Sequence, residues 1–181
     1  MHNESANIYL IGYRCTGKST VGRTLADRLD LAFCDTDELI AADERKTIAQ
    51  IVADQDWNYF RNLEKKWLKK VAEKKNQVVA TGGGIVLHPD NIACMKNSGT
   101  VIWLKAGLQT VLHRLSQDPA TAASRPALTR REIEKEVLST MEARRELYSR
   151  AADLSFRTDE VRPEEIAAGI MQAVSINVDH I

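Results

Sequence analysis

Nine consecutive residues, Gly12-Tyr13-Arg14-Cys15-Thr16-Gly17-Lys18-Ser19-Thr20, fit the pattern G-x-x-x-x-G-K-[ST]. Glycines at both ends of such a loop let successive backbone N–H groups turn inward on phosphate oxygens. A lysine placed like Lys18 reaches the β- and γ-phosphates of a nucleotide, and a hydroxyl placed like Ser19 can ligate Mg²⁺. Two carboxylates follow in Asp35-Thr36-Asp37. In extended chain a two-residue step points both side chains the same way. One would then hold Mg²⁺ through water while the other orients an acceptor hydroxyl and takes its proton. A helix N-cap is the plainer use of one such Asp. A third cluster, Thr81-Gly82-Gly83-Gly84, suggests backbone approached closely by a ligand. Together these residue types spell phosphoryl transfer from a nucleotide to a hydroxyl.

The elements that must position them read as alternating strands and helices. Residues 7–11 are a short apolar strand before the glycine loop, and Val21, Leu25 and Leu29 mark one face of a helix after it. Further strands are expected at 31–34, 77–80, 100–104 and 154–157. Helical pattern runs from 38 to about 75, with Ile48, Ile51 and Val52 on one apolar face and Phe60, Leu63, Trp67, Leu68 and Val71 on another. Six lysines between residues 65 and 75 fall between those apolar positions, which makes them a solvated face rather than a nucleic-acid stripe. Pro89-Asp90 opens another helix, 109–116 and about 130–150 are helical, and Pro163 starts the last, with a frayed tail from 175. Residues 117–126, small, polar and bracketed by Pro119 and Pro126, suit a mobile loop. This alternation predicts a parallel sheet covered on both faces, with ligands at the carboxyl ends of the strands. All three clusters fall on that edge.

Composition narrows the partners. Lys+Arg 25 balance Asp+Glu 25, so bulk charge gives no support for a nucleic-acid or membrane-surface role. No apolar run approaches a membrane span, and the polar Met1-His2-Asn3-Glu4-Ser5 does not read as a signal peptide. Cys15, Cys34 and Cys94 lack C-x-x-C spacing, which predicts reduced thiols in the cytoplasm and no structural zinc. Cys34 and Cys94 read as small buried hydrophobes. Cys15 lies near a helix N-terminus and Lys18, both of which favour thiolate, although an inert loop residue is the plainer reading.

An ordered set of residues resembles the shikimate kinase family: 12–20, Asp35-Thr36-Asp37, Phe60-Arg61, Thr81-Gly82-Gly83-Gly84, Arg125-Pro126, and Arg144 with Leu147-Tyr148. The resemblance runs from about residue 8 to 174. It implies an α/β P-loop kinase fold like that of nucleoside-monophosphate kinases, three layers with a five-stranded parallel sheet of order 2-3-1-4-5. The chain would be one domain over 1–181, with a substrate-binding helical region at about 38–75 and a lid at about 117–126. The implied reaction is Mg²⁺-dependent transfer of the ATP γ-phosphate to the 3-hydroxyl of shikimate, on the route to chorismate and the aromatic amino acids. A cytoplasmic monomer acting on two small molecules, with no nucleic-acid or membrane partner, is expected.

Carried over residue by residue, Gly12, Cys15, Thr16, Gly17, Lys18, Ser19 and Thr20 would surround ATP. Ser19 would ligate Mg²⁺ directly with Asp35 in its outer shell, and Asp37 would hold the reacting hydroxyl. Arg61 and Arg144 would grip the shikimate carboxylate beside Gly82, Gly83 and Gly84, Gly83 lending backbone contact. Arg125 in the lid would close on the phosphates, and Arg114 resembles the arginine that lies along adenine. Cys15 stands where many members have a third loop glycine, Asp56-Trp57 replaces a frequent Gly-Glu pair, and Glu146 a frequent proline. A gluconate-kinase-like enzyme shares the fold and the loop, and only the Asp37, Arg61, Gly83 and Arg144 set argues against it. A non-catalytic nucleotide switch of the GTPase type would carry N-K-x-D, which this chain lacks.

Overall fold

Every residue of strand β1 (Asn7–Ile11) is buried, because the strand lies at the centre of a sheet and is covered on both faces. In the computed structural model, which describes residues 6–118 and 129–178, β1 pairs in parallel with two strands. On one side is β3 (Gln77–Ala80), with Ile8 opposite Val78; on the other is β4 (Gly99–Lys105), with Ile11 opposite Trp103. The outer strands are β2 (Ala32–Asp35) and β5 (Leu154–Arg157), completing the order β2-β3-β1-β4-β5. This is the five-stranded parallel arrangement that the sequence predicts.

Alternation along β1 divides the core. Ile8 and Leu10 face α1 (Lys18–Leu29) and α8 (Pro163–Val178), packing on Val21, Leu25, Ile166 and Ile170. Tyr9 and Ile11 face the other layer, formed by α4 (Trp57–Ala72), α5 (Pro89–Ser98) and α7 (Arg130–Ala151), and pack on Leu68, Val71, Met95 and Tyr148. Burying each large apolar side chain contributes roughly 1.5–3 kcal/mol, so this two-faced core is what fixes the strand ends in space. Helix α6 (Leu108–Gln117) packs beside α7 through Val111, Leu115 and Val137.

The helical stretch expected from 38 to 75 is three helices. Helix α2 (Thr36–Glu44) stops at Arg45, which takes a left-handed conformation at φ 54°. Helix α3 (Ile48–Asp54) starts at a capping box in which Thr47 and Gln50 exchange side-chain and backbone hydrogen bonds. The N-cap of α4 is Asp56, whose side chain accepts from the Tyr59 N–H at 2.8 Å. Apolar periodicity runs through both breaks, so the caps, not the pattern, mark them. The interleaved lysines face solvent or local partners: Lys65 pairs with Asp90, and Lys70 lies 4.4 Å from the centre of the Trp67 ring. A short 3₁₀ turn, Ile85–Leu87, follows the glycine cluster. Helix α8 continues to Val178, past the point where fraying was expected. Residues 119–128, and with them Arg125 and most of the expected lid, lie outside the described residues. Among the described residues no helix is long and apolar enough to cross a membrane.

Candidate active site

The loop between β1 and α1 is held by its own side chains. Gly12 sits at φ 145° and Gly17 at φ 91°, where a Cβ is strained, and a Cβ on Gly12 would also overlap the Leu104 carbonyl. Buried Thr16 donates from Oγ1 to the Tyr13 carbonyl at 2.8 Å. Lys18, also buried, donates from Nζ to the carbonyls of Gly12 at 2.9 Å and Tyr13 at 2.8 Å. Burial pulls the Lys18 pKa down, while Asp37 and Asp35 oppose that. The first turn of α1 carries no acidic residue and no side-chain cap, so its backbone N–H groups and partial positive charge face the loop uncompensated. Thr20 is exposed on that turn.

Cys15 adopts φ 60°, a left-handed conformation that explains why a glycine suits the position. Its thiol does not match the expectation of a favoured thiolate. Burial and Asp118 push the pKa up, outweighing Arg14, Lys18 and Arg114. Cys34 and Cys94 pack against the core as partly buried side chains, and burial raises both thiols, Cys34 to about 11.

The two aspartates divide their work differently from the extended-chain expectation. The chain turns into α2 directly after Asp35, so the carboxylates do not project in parallel. Asp35 is the N-cap, accepting at Oδ1 from the Asp37 N–H at 3.0 Å, and it also accepts at Oδ2 from Ser19 Oγ at 2.6 Å. Capping and the approach to Ser19 are therefore one residue's job. Asp37 stands in the first turn of α2 with Oδ1 buried and without a partner among the described residues. Burial, and next the charge of Asp35, raises its pKa to about 6, and Lys18 and Arg61 hold it from going higher. Buried Thr36, between them, accepts at Oγ1 from the Gly82 N–H at 3.1 Å, which ties α2 to the glycine turn.

That turn has no room for side chains. A Cβ on Gly82 would lie 2.6 Å from both Asp37 Oδ1 and Glu64 Oε1, and one on Gly84 would overlap the Arg61 guanidinium. The Gly83 carbonyl accepts from Arg144 Nη1 at 3.1 Å and from Tyr148 Oη at 2.5 Å. Tyr148 is itself fixed by stacking on Trp103 at 5.6 Å. Arg61 pairs with Glu64 and lies within 5.3 Å of the ring centres of Trp57 and Phe60. The pair is not the surface bridge the sequence allows, because Glu64 is fully buried; its pKa is pushed up to about 7 by that burial against the pull of Arg61.

Arg14, Asp37, Arg61, Glu64, Gly82, Gly83, Gly84 and Arg144 line one cavity of about 280 Å³. Four buried polar atoms on its lining residues lack partners among the described residues: the donors Nε and Nη2 of Arg14, and the acceptors Asp37 Oδ1 and Glu64 Oε1. Orphaned buried groups of this kind are rare and costly unless a ligand or water satisfies them. Sequence reasoning missed Arg14 and the burial of Glu64. The first occupies a position the loop pattern leaves free, and the second is buried only because Gly82 gives it space. A larger cavity of about 410 Å³ opens between β4 and α7, behind Tyr13 and Thr16, but neither Asp37 nor any cluster arginine lines it.

Arg114 lies on the far side of the loop. It donates from Nη1 to the Cys15 carbonyl at 3.1 Å and from Nη2 to the Thr158 carbonyl at 2.7 Å. It thereby fastens α6 to the glycine loop and to the segment after β5.

The shikimate kinase family model matches residues 14–175. A shikimate kinase from Persephonella marina is 39% identical over 165 residues, covering 91% of this chain and 96% of its own. One from Nitratidesulfovibrio vulgaris is 39% identical, covering 88% and 90%. The solved structure of a shikimate kinase from Acinetobacter baumannii in complex with shikimate superposes with a TM-score of 0.88 at 31% identity, over 96% of this chain and 94% of that one. With one sheet order, one phosphate loop and near full-length identity of this kind, the chain belongs to the shikimate kinase family.

Proposed function

We propose that this protein, acting as one P-loop kinase domain, transfers the γ-phosphoryl group of ATP to the 3-hydroxyl of shikimate, giving 3-phosphoshikimate and ADP. The observation that carries the reading is the set of four orphaned atoms around the cavity. Two are donors suited to an anion and two are carboxylate acceptors suited to hydroxyls, and shikimate carries one carboxylate and three hydroxyls.

Asp37 receives the acceptor hydroxyl proton as the oxygen attacks the γ-phosphorus and the bond to the β-phosphate oxygen breaks. Its raised pKa keeps it basic enough to accept that proton while leaving it ionised near neutrality. Lys18 and the N-terminus of α1 stabilise charge on the transferring group, which is where such transfers gain most. Arg61 and Arg144 hold the carboxylate, each fixed by a second contact to Glu64 or to Gly83. Arg114 borders the adenine side.

The donor set fits Mg²⁺. A hydroxyl and a carboxylate 2.6 Å apart, Ser19 and Asp35, are hard oxygen ligands beside the phosphate loop. Mg²⁺ keeps most of its waters and takes the rest from phosphate, so no cluster of three acidic or histidine side chains is required, and none occurs among the described residues. Held there, the ion would neutralise phosphate charge.

The test is ADP release with ATP and Mg²⁺ in the presence of shikimate, of gluconate, and of no acceptor. Shikimate-dependent release far above the other two supports the reading; equal release with gluconate overturns it.

A further inference from the structure

We propose that Arg14 is a third guanidinium of the acceptor site, binding the carboxylate of the substrate through its Nε and Nη2 edge. The inference rests on the acceptor reading above and adds a residue to it. Nε–H and Nη2–H leave a guanidinium on the same side and run parallel, the geometry that grips both oxygens of a carboxylate. In Arg14 those two atoms are both buried and both without partners among the described residues. An arginine free to reach solvent would not bury that edge.

Neighbouring groups account for the direction. The Arg14 backbone N–H packs against the glycine turn, 3.4 Å from where a Cβ on Gly83 would stand. Its guanidinium lies 5.8 Å from the centre of the Tyr13 ring, against an apolar face that offers no acceptor oxygen. Two acidic side chains lining the cavity do not satisfy it: Asp37 Oδ1 and Glu64 Oε1 are themselves unpartnered among the described residues. The other two arginines already spend donors on the protein, Arg61 on Glu64 and Arg144 on the Gly83 carbonyl. Both do so from Nη1, and of the three only Arg14 has its Nε and Nη2 edge buried and unpartnered among the described residues.

The transferring phosphoryl group is the other anion near this loop. Arg14 shares its cavity with Arg61 and Arg144, whereas Lys18 and Ser19 do not line it. The fork therefore faces the acceptor rather than the nucleotide.

The experiment compares wild type with Arg14→Ala and Arg14→Lys on shikimate and on its carboxamide, in which the carboxylate is replaced by a neutral group. For shikimate, kcat/KM should fall roughly ten- to a hundredfold in the Ala variant and at least several-fold in the Lys variant, which keeps charge but loses the fork. On the carboxamide both variants should stay within about threefold of wild type, and KM for ATP should stay within a few-fold throughout. Equal losses on both acceptors would assign Arg14 to the phosphoryl group and overturn the proposal, as would no loss on shikimate. In wild type, the Arg14 Nε–H resonance should shift on adding shikimate and not the carboxamide; an unmoved resonance overturns it without any variant having to fold. Failure of wild type to phosphorylate shikimate would instead sink the acceptor reading itself.

Discussion

Ser19 Oγ donates a 2.6 Å hydrogen bond to Asp35 Oδ2, while Oδ1 of the same carboxylate caps α2 by accepting from the Asp37 N–H. One side chain thus joins the start of α1, which carries the phosphate loop, to the start of α2, which carries Asp37. Moving Asp35 would disturb both at once.

The two roles separate by substitution. Asp35→Asn keeps a competent cap, so its melting temperature should stay near wild type, whereas Asp35→Ala should lose about 1 kcal/mol of stability. Both, and Ser19→Ala, should raise the Mg²⁺ concentration needed for half-maximal rate. A magnesium titration of the rate beside thermal melts checks this; an unchanged Mg²⁺ requirement in all three would remove these residues from the metal site.

Asp37 sets the pH dependence. With its free-enzyme pKa near 6, kcat/KM for the acceptor should rise with pH through about 6 and level off above it. Asp37→Asn should cost well over tenfold in turnover, more than about 1.4 kcal/mol, and abolish that limb while ATP still binds.

Burial of Asp37 and Glu64 also affects stability, with the opposite sign from a paired surface carboxylate. Both native pKa values lie above the ordinary ones, 3.8 moving to about 6 and 4.5 to about 7. The native state therefore holds these protons more tightly than the unfolded chain. Their contribution is full below about 4 and is lost as pH rises to about 7. Denaturant midpoints measured from pH 4 to 7 should show this slope in the ligand-free protein, and a Glu64→Gln variant should show less of it.

Gly84→Ala places a Cβ on the Arg61 guanidinium. It should raise KM for shikimate by tenfold or more while leaving KM for ATP within a few-fold. Gly83→Ala, whose nearest neighbour would be 3.4 Å away, should be milder. Reversal of that order in steady-state kinetics would mean that the turn does not position Arg61.

The strands were legible in the sequence because a central parallel strand must be apolar on both faces, as residues 7–11 are. The glycine loop was legible because its chemistry restricts residue type. The breaks at Arg45 and Asp56 were not, since apolar spacing passes through them and only the local caps at Thr47 and Asp56 interrupt the helix. Lys18 shows another limit: the loop pattern assigns its ammonium to nucleotide phosphates, yet here it binds the Gly12 and Tyr13 carbonyls. Lys18→Met should therefore lose turnover and also loosen the loop, seen as faster hydrogen exchange at residues 12–17. Glu64 and Arg14 were invisible for a related reason. Whether a charged side chain is buried depends on what lies across the cavity, and here that is the glycine turn from β3, which sequence spacing along α4 or within the loop cannot report.

The most direct measurement is the identity of the phosphorylated product. Wild-type protein is incubated with ATP, Mg²⁺ and shikimate, and the product is read by phosphorus–proton correlation NMR. A single phosphomonoester whose phosphorus couples to the ring proton at C3, formed with an equal amount of ADP, is the predicted result. Phosphate at another hydroxyl, or ADP released without a phosphorylated ring, would contradict the account.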